Sequence, residues 1–146
     1  MFSRILLASD GSEDAIKAAA FVADLARKYG SQVTVLHVFN MPISPVAFVG
    51  APGIELDAPM MDQYADDVQA AVARRTGRVL EEAGVEYDTR LEKGHPADRI
   101  VEVAEEGHYD LIVLGSRGLS EFKRFLLGSV SDRVSHHAHC PVLIVK

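Results

Sequence analysis

Three glycines and a serine near the carboxyl-terminal end of the chain have the spacing of a phosphate-binding loop. The segment is Gly115-Ser116-Arg117-Gly118, followed by nine residues and then Gly128-Ser129. Glycines let backbone N–H groups approach an anion closely, and the start of a helix adds further N–H groups and the positive end of a dipole. The pattern therefore indicates a phosphate cradle for a nucleotide. The alternative is that the glycines only terminate a strand and a helix.

Asp10 is the second candidate, because it follows an apolar run at the start of the chain. A carboxylate beside a triphosphate is repelled unless it pairs with a cation or accepts hydrogen bonds from ribose, and Mg²⁺ bridges phosphates and carboxylates. Asp10 is therefore the predicted metal ligand, with capping of the first helix as the alternative. Arg117 either neutralises phosphate charge or lies in solvent. Ser129 is a phosphate ligand or an N-cap, and Ser131 is equally open to helix solvation or phosphate contact.

Other reactive side chains favour structural interpretations. His136, His137 and His139 end a predicted helix, where imidazoles interact well with the helix dipole, and no acidic or cysteine cluster accompanies them. His37 lies within an apolar strand, as a satisfied core histidine does. Cys140 precedes a buried strand and is expected to be a small core residue rather than a nucleophile. No catalytic residue is assigned.

Size and composition predict one domain over residues 1–146, with 48% hydrophobic and 25% charged residues. The net charge of −6 and the lack of a basic face argue against nucleic-acid partners. No apolar run has the length of a membrane span, and a single cysteine fits a reducing compartment. A cytoplasmic protein that binds a small molecule is expected.

The elements that must position these residues alternate between strands and helices. Strands are predicted at Arg4–Ala8, Gln32–Phe39, 86–91, 110–114 and Val142–Val145, and helices at Glu13–Tyr29, 61–83, Pro96–Glu106 and Ser129–His137. The stretch 40–59 holds four of the six prolines, so a long binding loop or lid is expected there. Strand 86–91 is polar and alternating, as an edge strand is.

The predicted fold class is α/β: a single open five-stranded parallel sheet, order 3-2-1-4-5, with helices on both faces and right-handed crossovers. In this Rossmann-like arrangement a ligand binds outside the carboxyl ends of the strands, where the strand order reverses. The first and fourth strands flank that point. Asp10 and the loop at Gly115 are therefore expected side by side.

The whole chain resembles the universal stress protein family. The segments that carry the resemblance are Ile5-Leu6-Leu7-Ala8-Ser9-Asp10-Gly11-Ser12, Val35-Leu36-His37-Val38, Gly94-His95-Pro96-Ala97, the run from Asp110 through Gly118, Gly128-Ser129-Val130 and Cys140-Pro141-Val142-Leu143-Ile144-Val145. The intact glycine loop resembles the loop of those family members that bind ATP. The resemblance implies an ATP- and Mg²⁺-binding regulatory or stress-response protein that forms a homodimer through its last strand.

Carried over by position, the resemblance implies that Val38 meets adenine through its backbone and that the exit of the first strand lies by the ribose and phosphates. Ala8 departs from the family pattern, which often has proline or aspartate there, but a small apolar residue should tolerate the ligand. The implied nucleotide-binding residues are Ala8, Ser9, Asp10, Val38, Leu114, Gly115, Arg117, Gly118, Gly128, Ser129, Val130 and Ser131.

Two other functions are alternatives to a regulatory ATP-binding protein that hydrolyses ATP slowly at most. A nucleotide hydrolase or nucleotidyl-transferring enzyme needs a positioned general base, for which Asp10 and His37 are the candidates. A phosphoacceptor receiver domain needs an acidic pair after the first strand and an aspartate after the third. The third predicted strand is followed by Glu92-Lys93-Gly94 instead, so the receiver function is close to excluded.

Overall fold

A computed structural model describes residues 1–40, 58–118 and 127–146. The strands are β1 (Arg4–Ala8), β2 (Gln32–Phe39), β3 (Tyr87–Lys93), β4 (Leu111–Gly115) and β5 (Val142–Val145). The helices are α1 (Glu13–Tyr29), α2 (Ala58–Glu82), α3 (Pro96–Glu106) and α4 (Ser129–His137). Most of the expected loop at 40–59 and the middle of the glycine-rich segment lie outside the described residues.

All five strands form one parallel sheet in the order β3-β2-β1-β4-β5, which confirms the predicted fold class. β1 is almost wholly apolar, as suits a strand that is covered on both faces, and it pairs with β2 on one side and β4 on the other. The order reverses between β1 and β4. The crevice expected in such sheets must therefore open above the carboxyl ends of these two strands.

The alternation of side chains along the central strands divides the core into two layers. Ile5 and Leu7 face α1 and α2, while Leu6 and Ala8 face α3 and α4. Both layers are closed by buried aliphatic residues of the helices, with Val22 in the first and Val103 in the second. Because each layer is packed on a different pair of helices, the carboxyl edge of the sheet is held from both faces.

The ends of α1 follow the sequence signals. Ser12 is the N-cap, and its hydroxyl accepts the N–H of Ala15 at 3.2 Å. Gly30 ends the helix in the left-handed conformation, with a φ of 67°, which a glycine adopts without strain. The first turn of α1 is thereby fixed at the end of β1, next to Asp10.

Three element boundaries differ from the prediction. α2 begins at Ala58 rather than residue 61, so Pro59 belongs to the helix; proline is tolerated in a first turn, where its missing N–H costs no hydrogen bond. β3 runs to Lys93, because its last residues still pair with β2. β4 is shifted by one residue, and the carboxylate of Asp110 before it accepts backbone N–H groups at the start of β1.

β3 is an edge strand, as its polar alternation predicts. Its outer end carries an ion-pair network in which Glu92 accepts from Arg90 at 2.7 Å and from Arg99 of α3 at 2.8 Å. These hydrogen bonds hold the pKa of Glu92 below its ordinary value, and the one from Arg90 has the larger effect. Charged side chains on an edge also discourage pairing with another strand.

Candidate functional site

A cleft of about 690 Å³ opens at the carboxyl edge of the sheet, over the reversal between β1 and β4. Residues from the ends of β1, β2 and β4 form its floor, and the first turns of α1, α3 and α4 form part of its walls. All twelve residues named from the sequence line this one cleft. The volume is in the range of small-molecule sites.

One wall of the cleft is apolar and belongs to the α3–α4 side of the sheet. Leu36 and Val38 of β2, Leu114 of β4 and Ile100 of α3 line the cleft and are buried against one another, with Ala8 at the end of β1 beside them. Such a surface suits a flat apolar group. Several polar groups of the cleft, among them Ser116, Arg117 and Ser131, lie around the segment that follows β4 and the start of α4.

The first two glycines of the loop stand where space is short. A Cβ on Gly115 would lie 2.8 Å from backbone and side-chain atoms of Asp14 and from the backbone nitrogen of Ala15. Real Cβ atoms essentially never approach so closely, so the first turn of α1 packs directly on this strand end. A Cβ on Gly118 would lie 2.8 Å from Oδ2 of Asp10. Both glycines therefore let the segment after β4 lie close to the end of β1.

The two ends of the glycine-rich segment are joined through the carbonyl group of Ser116. It accepts the backbone N–H of Gly128 at 2.6 Å and the hydroxyl of Ser131 at 2.8 Å. Ser131 is buried, and its hydroxyl also lies 3.1 Å from the carbonyl oxygen of Gly128. The hydroxyl of Ser131 thus closes the loop, a role that neither of its sequence-based alternatives included.

α4 begins at the mouth of the cleft without a side-chain cap. Gly128 is the N-cap, with a φ of −75°, and Ser129 is the first helical residue, so the alternative of Ser129 as N-cap is wrong. The first bond within the helix joins the N–H of Asp132 to the carbonyl of Gly128 at 2.9 Å. The positive end of the α4 dipole therefore lies at the cleft, close to the glycine loop.

Asp10 belongs both to the cleft and to the turn before α1. Its Oδ1 accepts the backbone N–H of Ser12 at 2.9 Å. The hydroxyl group of Ser12 in turn donates to the backbone carbonyl of Arg117 at 3.4 Å. Among the residues described, no group of three histidine, cysteine or acidic side chains could hold a metal. One carboxylate at a phosphate-sized cleft does fit Mg²⁺, which takes most of its ligands from phosphate and water. Asp10 would be the protein ligand.

Beneath the cleft, a buried polar cluster ties β1 to β2 and α2. The hydroxyl groups of Ser9 and Thr76 lie 2.7 Å apart, and Nδ1 of His37 lies 2.8 Å from the carbonyl oxygen of Ser9. Because a carbonyl can only accept, Nδ1 carries the proton. His37 is 7% exposed, so the interpretation as a satisfied core histidine is confirmed. The strand ends that form the floor are thus held in place from below.

The sequence did not single out the part of the cleft made by α3 and the second turn of α4. His95 and Pro96 at the start of α3 line it, as do Asp132 and Arg133 of α4. Asp98 joins the two helices: its Oδ1 lies 3.0 Å from Arg133, and its Oδ2 lies 3.5 Å from Nδ1 of His95. The only sequence signal for this wall was the Gly94-His95-Pro96 segment, which marked the start of α3.

The carboxyl-terminal histidines and the cysteine behave as structural residues. Nδ1 of His136 and of His137 each lies 2.8 Å from a carbonyl oxygen one turn earlier in α4, that of Asp132 and that of Arg133. His139 lies 3.6 Å from Glu105. Cys140 packs against the α3–α4 layer of the core, and burial raises the pKa of its thiol. A raised thiol pKa disfavours the thiolate that a nucleophile needs.

Fold and site together define the class: a doubly wound α/β domain with a cleft at the reversal of strand order, flanked by glycines and helix N-termini. A model of the universal stress protein family matches residues 1–146. The chain therefore belongs to the universal stress protein family.

Individual relatives agree with this assignment. The universal stress protein MJ0531 of Methanocaldococcus jannaschii is 35% identical over 146 residues, which is all of this chain and 83% of that protein. The solved structure of the hypothetical protein MJ0577 has a TM-score of 0.82 at 28% identity, covering 100% of this chain and 96% of the other. The universal stress protein from Archaeoglobus fulgidus in complex with dAMP has a TM-score of 0.66 at 26% identity and covers both chains fully. In the described part of this chain, no helix has the length and apolar character needed to cross a membrane.

Proposed function

We propose that this chain is an ATP-binding universal stress protein whose cleft takes ATP with Mg²⁺ and whose nucleotide state regulates its interactions in a stress response. The observation that supports this most directly is the convergence of twelve residues, from four separate parts of the sequence, on one cleft. The relative from Archaeoglobus fulgidus, solved with dAMP, makes an adenine nucleotide the natural ligand class.

The two ends of the cleft suit the two ends of a nucleotide. The apolar wall around Val38 and Leu114 would receive the adenine, with the backbone of Val38 at its edge. The glycine segment and the start of α4 would receive the phosphates, because N–H groups and a dipole end favour negative charge. Mg²⁺ would bridge the phosphates and Asp10.

The described residues favour binding over fast hydrolysis. Of the two candidate bases, His37 is buried and its Nδ1 proton is engaged by Ser9. Asp10 already accepts the N–H of Ser12. His37 belongs to the buried cluster with Ser9 and Thr76, which suits a structural histidine better than a general base. We therefore expect ATP turnover that is slow compared with ordinary enzymes, and a regulatory rather than a metabolic role.

The decisive experiment is calorimetric titration of ATP·Mg²⁺ into the protein and into Ser129→Asp. An aspartate in the first turn of α4 stabilises the helix through its dipole, yet it places a negative charge at the proposed phosphate site. The matched control is Ser135→Asp, which adds the same charge to the same helix at an exposed position outside the cleft. We expect micromolar binding, about −7 to −9 kcal/mol, for the parent and the control.

Repulsion between unit charges about 4 Å apart is worth about 1 kcal/mol in bulk water and about 4 kcal/mol near a protein surface. Ser129→Asp should therefore weaken binding by about fivefold or more. If Ser129→Asp and Ser135→Asp bound ATP with equal affinity, the phosphates would have to bind away from Ser129. No heat with ATP, ADP or AMP, on protein freed of copurified nucleotide, would leave a family member that works through protein contacts alone.

The homodimer expected through the last strand also belongs to this proposal. β5 lies at an edge of the sheet, and Val142, Leu143 and Ile144 are only partly buried in the single chain. An apolar edge strand is a liability unless it is covered, and pairing with a second copy would cover it. Light scattering after size-exclusion chromatography should give a dimer at micromolar concentration, and Ile144→Lys should give a monomer. A parent protein that is already monomeric would contradict the proposal.

A further inference from the structure

The wall formed by α3 and α4 gives the cleft a polar group at its apolar end. Gly94 donates its N–H to the carbonyl of Phe39 at 3.0 Å, so the turn that carries His95 is fixed against the end of β2, next to Val38. Gly94 makes this turn with a φ of 134°, which side chains rarely adopt. His95 therefore lines the cleft beside the strand end where the proposed function places the edge of the base.

The imidazole of His95 is oriented by a neighbour. Nδ1 lies 3.5 Å from Oδ2 of Asp98, whose other oxygen is 3.0 Å from Arg133, so the carboxylate is itself fixed between two helices. His95 makes no N-cap hydrogen bond with its side chain, and that side chain is 56% exposed. A carboxylate at Nδ1 favours the tautomer with the proton on Nδ1, which leaves Nε2 as an acceptor.

We propose that His95 determines the base specificity of the cleft: held by Asp98, its Nε2 accepts a hydrogen bond from the 6-amino group of adenine and disfavours a 6-oxo purine. This inference rests on the proposed function. A 6-oxo group is an acceptor, and two acceptors facing each other lose a hydrogen bond and repel. Sites that hydrogen-bond one substrate group reject analogues that cannot pair with it. Asp98 is a positioning residue, since it acts through His95.

Protonation of the imidazole reverses the preference, because Nε2–H then donates to a 6-oxo group. The charged groups on the elements beside His95 are Asp98 on α3, Arg133 on α4, Lys93 on β3 and Arg99 on α3. Lys93 and Arg99 are each paired with an acidic side chain, and Arg133 is paired with Asp98. Of these four groups, Asp98 is the one in contact with the imidazole of His95.

The test compares ATP with inosine triphosphate, whose base carries a 6-oxo group and an N1 proton. Dissociation constants are measured with Mg²⁺ at about pH 8 and about pH 5.5, on the two sides of the reference pKa of histidine in model peptides. Titration of the phosphates is common to both ligands and cancels in the ratio. For the parent we expect about a tenfold preference for ATP at the higher pH and a clear loss of that preference at the lower.

In His95→Ala the dissociation constants of ATP and inosine triphosphate should be nearly equal at both pH values. His95→Gln should give the same result, because an amide can donate or accept. In Asp98→Asn the preference for ATP at about pH 8 should weaken, because the carboxylate that favours a proton on Nδ1 is gone. His136→Ala, which removes an exposed histidine outside the cleft, should keep the parent's ratio at both pH values.

A parent that binds both nucleotides with a ratio independent of pH, or a preference that survives in His95→Ala, overturns this inference and leaves the proposed function standing. Binding of neither nucleotide overturns both.

Discussion

Gly115 is expected to contribute to the stability of the fold and not only to ligand binding, and Gly115→Ala tests this in the absence of nucleotide. The new Cβ would lie 2.8 Å from three atoms of the first turn of α1, and two of these are backbone atoms. Ordinary contacts begin near 3.4 Å, so α1 and β4 must separate by several tenths of an ångström. That separation also disturbs the hydrogen bond of 2.9 Å between Ser116 and Asp14.

Overpacking of this kind costs about 1–3 kcal/mol. Replacing glycine by alanine also stiffens the unfolded chain, which offsets about 0.4–1 kcal/mol. The net loss should be about 1–2 kcal/mol, which lowers the Tm of a chain of this size by about 2–8 °C. Thermal unfolding followed by circular dichroism, with urea unfolding for the free energy, measures it.

Gly118→Ala is the matched control. Within the described part of the chain, its Cβ would meet only Oδ2 of Asp10, and a carboxylate can rotate away where a helix backbone cannot. The stability of Gly118→Ala should stay within about 1 kcal/mol of the parent. If Gly115→Ala proved as stable as Gly118→Ala, the close packing of α1 on β4 would not be the reason for that glycine.

Three further outcomes are expected. Ser131→Ala should lose about 1–2 kcal/mol of stability, because one of the two donors to the Ser116 carbonyl disappears; urea unfolding measures this, and an unchanged midpoint would contradict it. Glu92→Gln should destabilise at neutral pH and progressively less as the pH falls below the unfolded pKa, since the lowered pKa of Glu92 gives stability that is present above its unfolded pKa and is lost as pH falls through the folded one; a pH-independent difference would refute this. Removing Mg²⁺ with a chelator should weaken ATP binding much more than AMP binding in calorimetry, and equal losses would argue against a bridging cation.

The residues around the cleft could be predicted where the sequence signal is local. Apolar strands end in short polar or glycine-rich turns, and parallel strands bring these turns to one edge, so Asp10 and the glycine loop meet there. The bounds of α1 and α3 followed from their caps. Pro59 misled the prediction for α2, because proline breaks a helix in its middle but is tolerated at its start.

The remaining features depend on how helices pack against one another, which no local pattern encodes. Asp98 lies on α3 and its partner Arg133 on α4, 35 residues apart in the sequence and joined only in the fold. The pairing of Ser9 with Thr76 likewise crosses from a strand to a helix. The sequence also could not separate the two tasks of the glycines, since a glycine that admits a ligand and one that admits a helix look the same.

The charges of the cleft explain why a cation belongs with the proposed ligand. In the described part of the cleft, the aspartates Asp10 and Asp132 and the arginines Arg117 and Arg133 carry formal charges that cancel, and Arg133 is already engaged by Asp98. Side chains described there therefore cannot neutralise a triphosphate. The helix dipole at α4 contributes only about half a unit charge. A divalent cation at Asp10 would supply what is missing, and it would be needed more as the number of phosphates rises. A monophosphate leaves less charge to neutralise than a triphosphate does, so Mg²⁺ should matter more for the binding of ATP than for that of AMP.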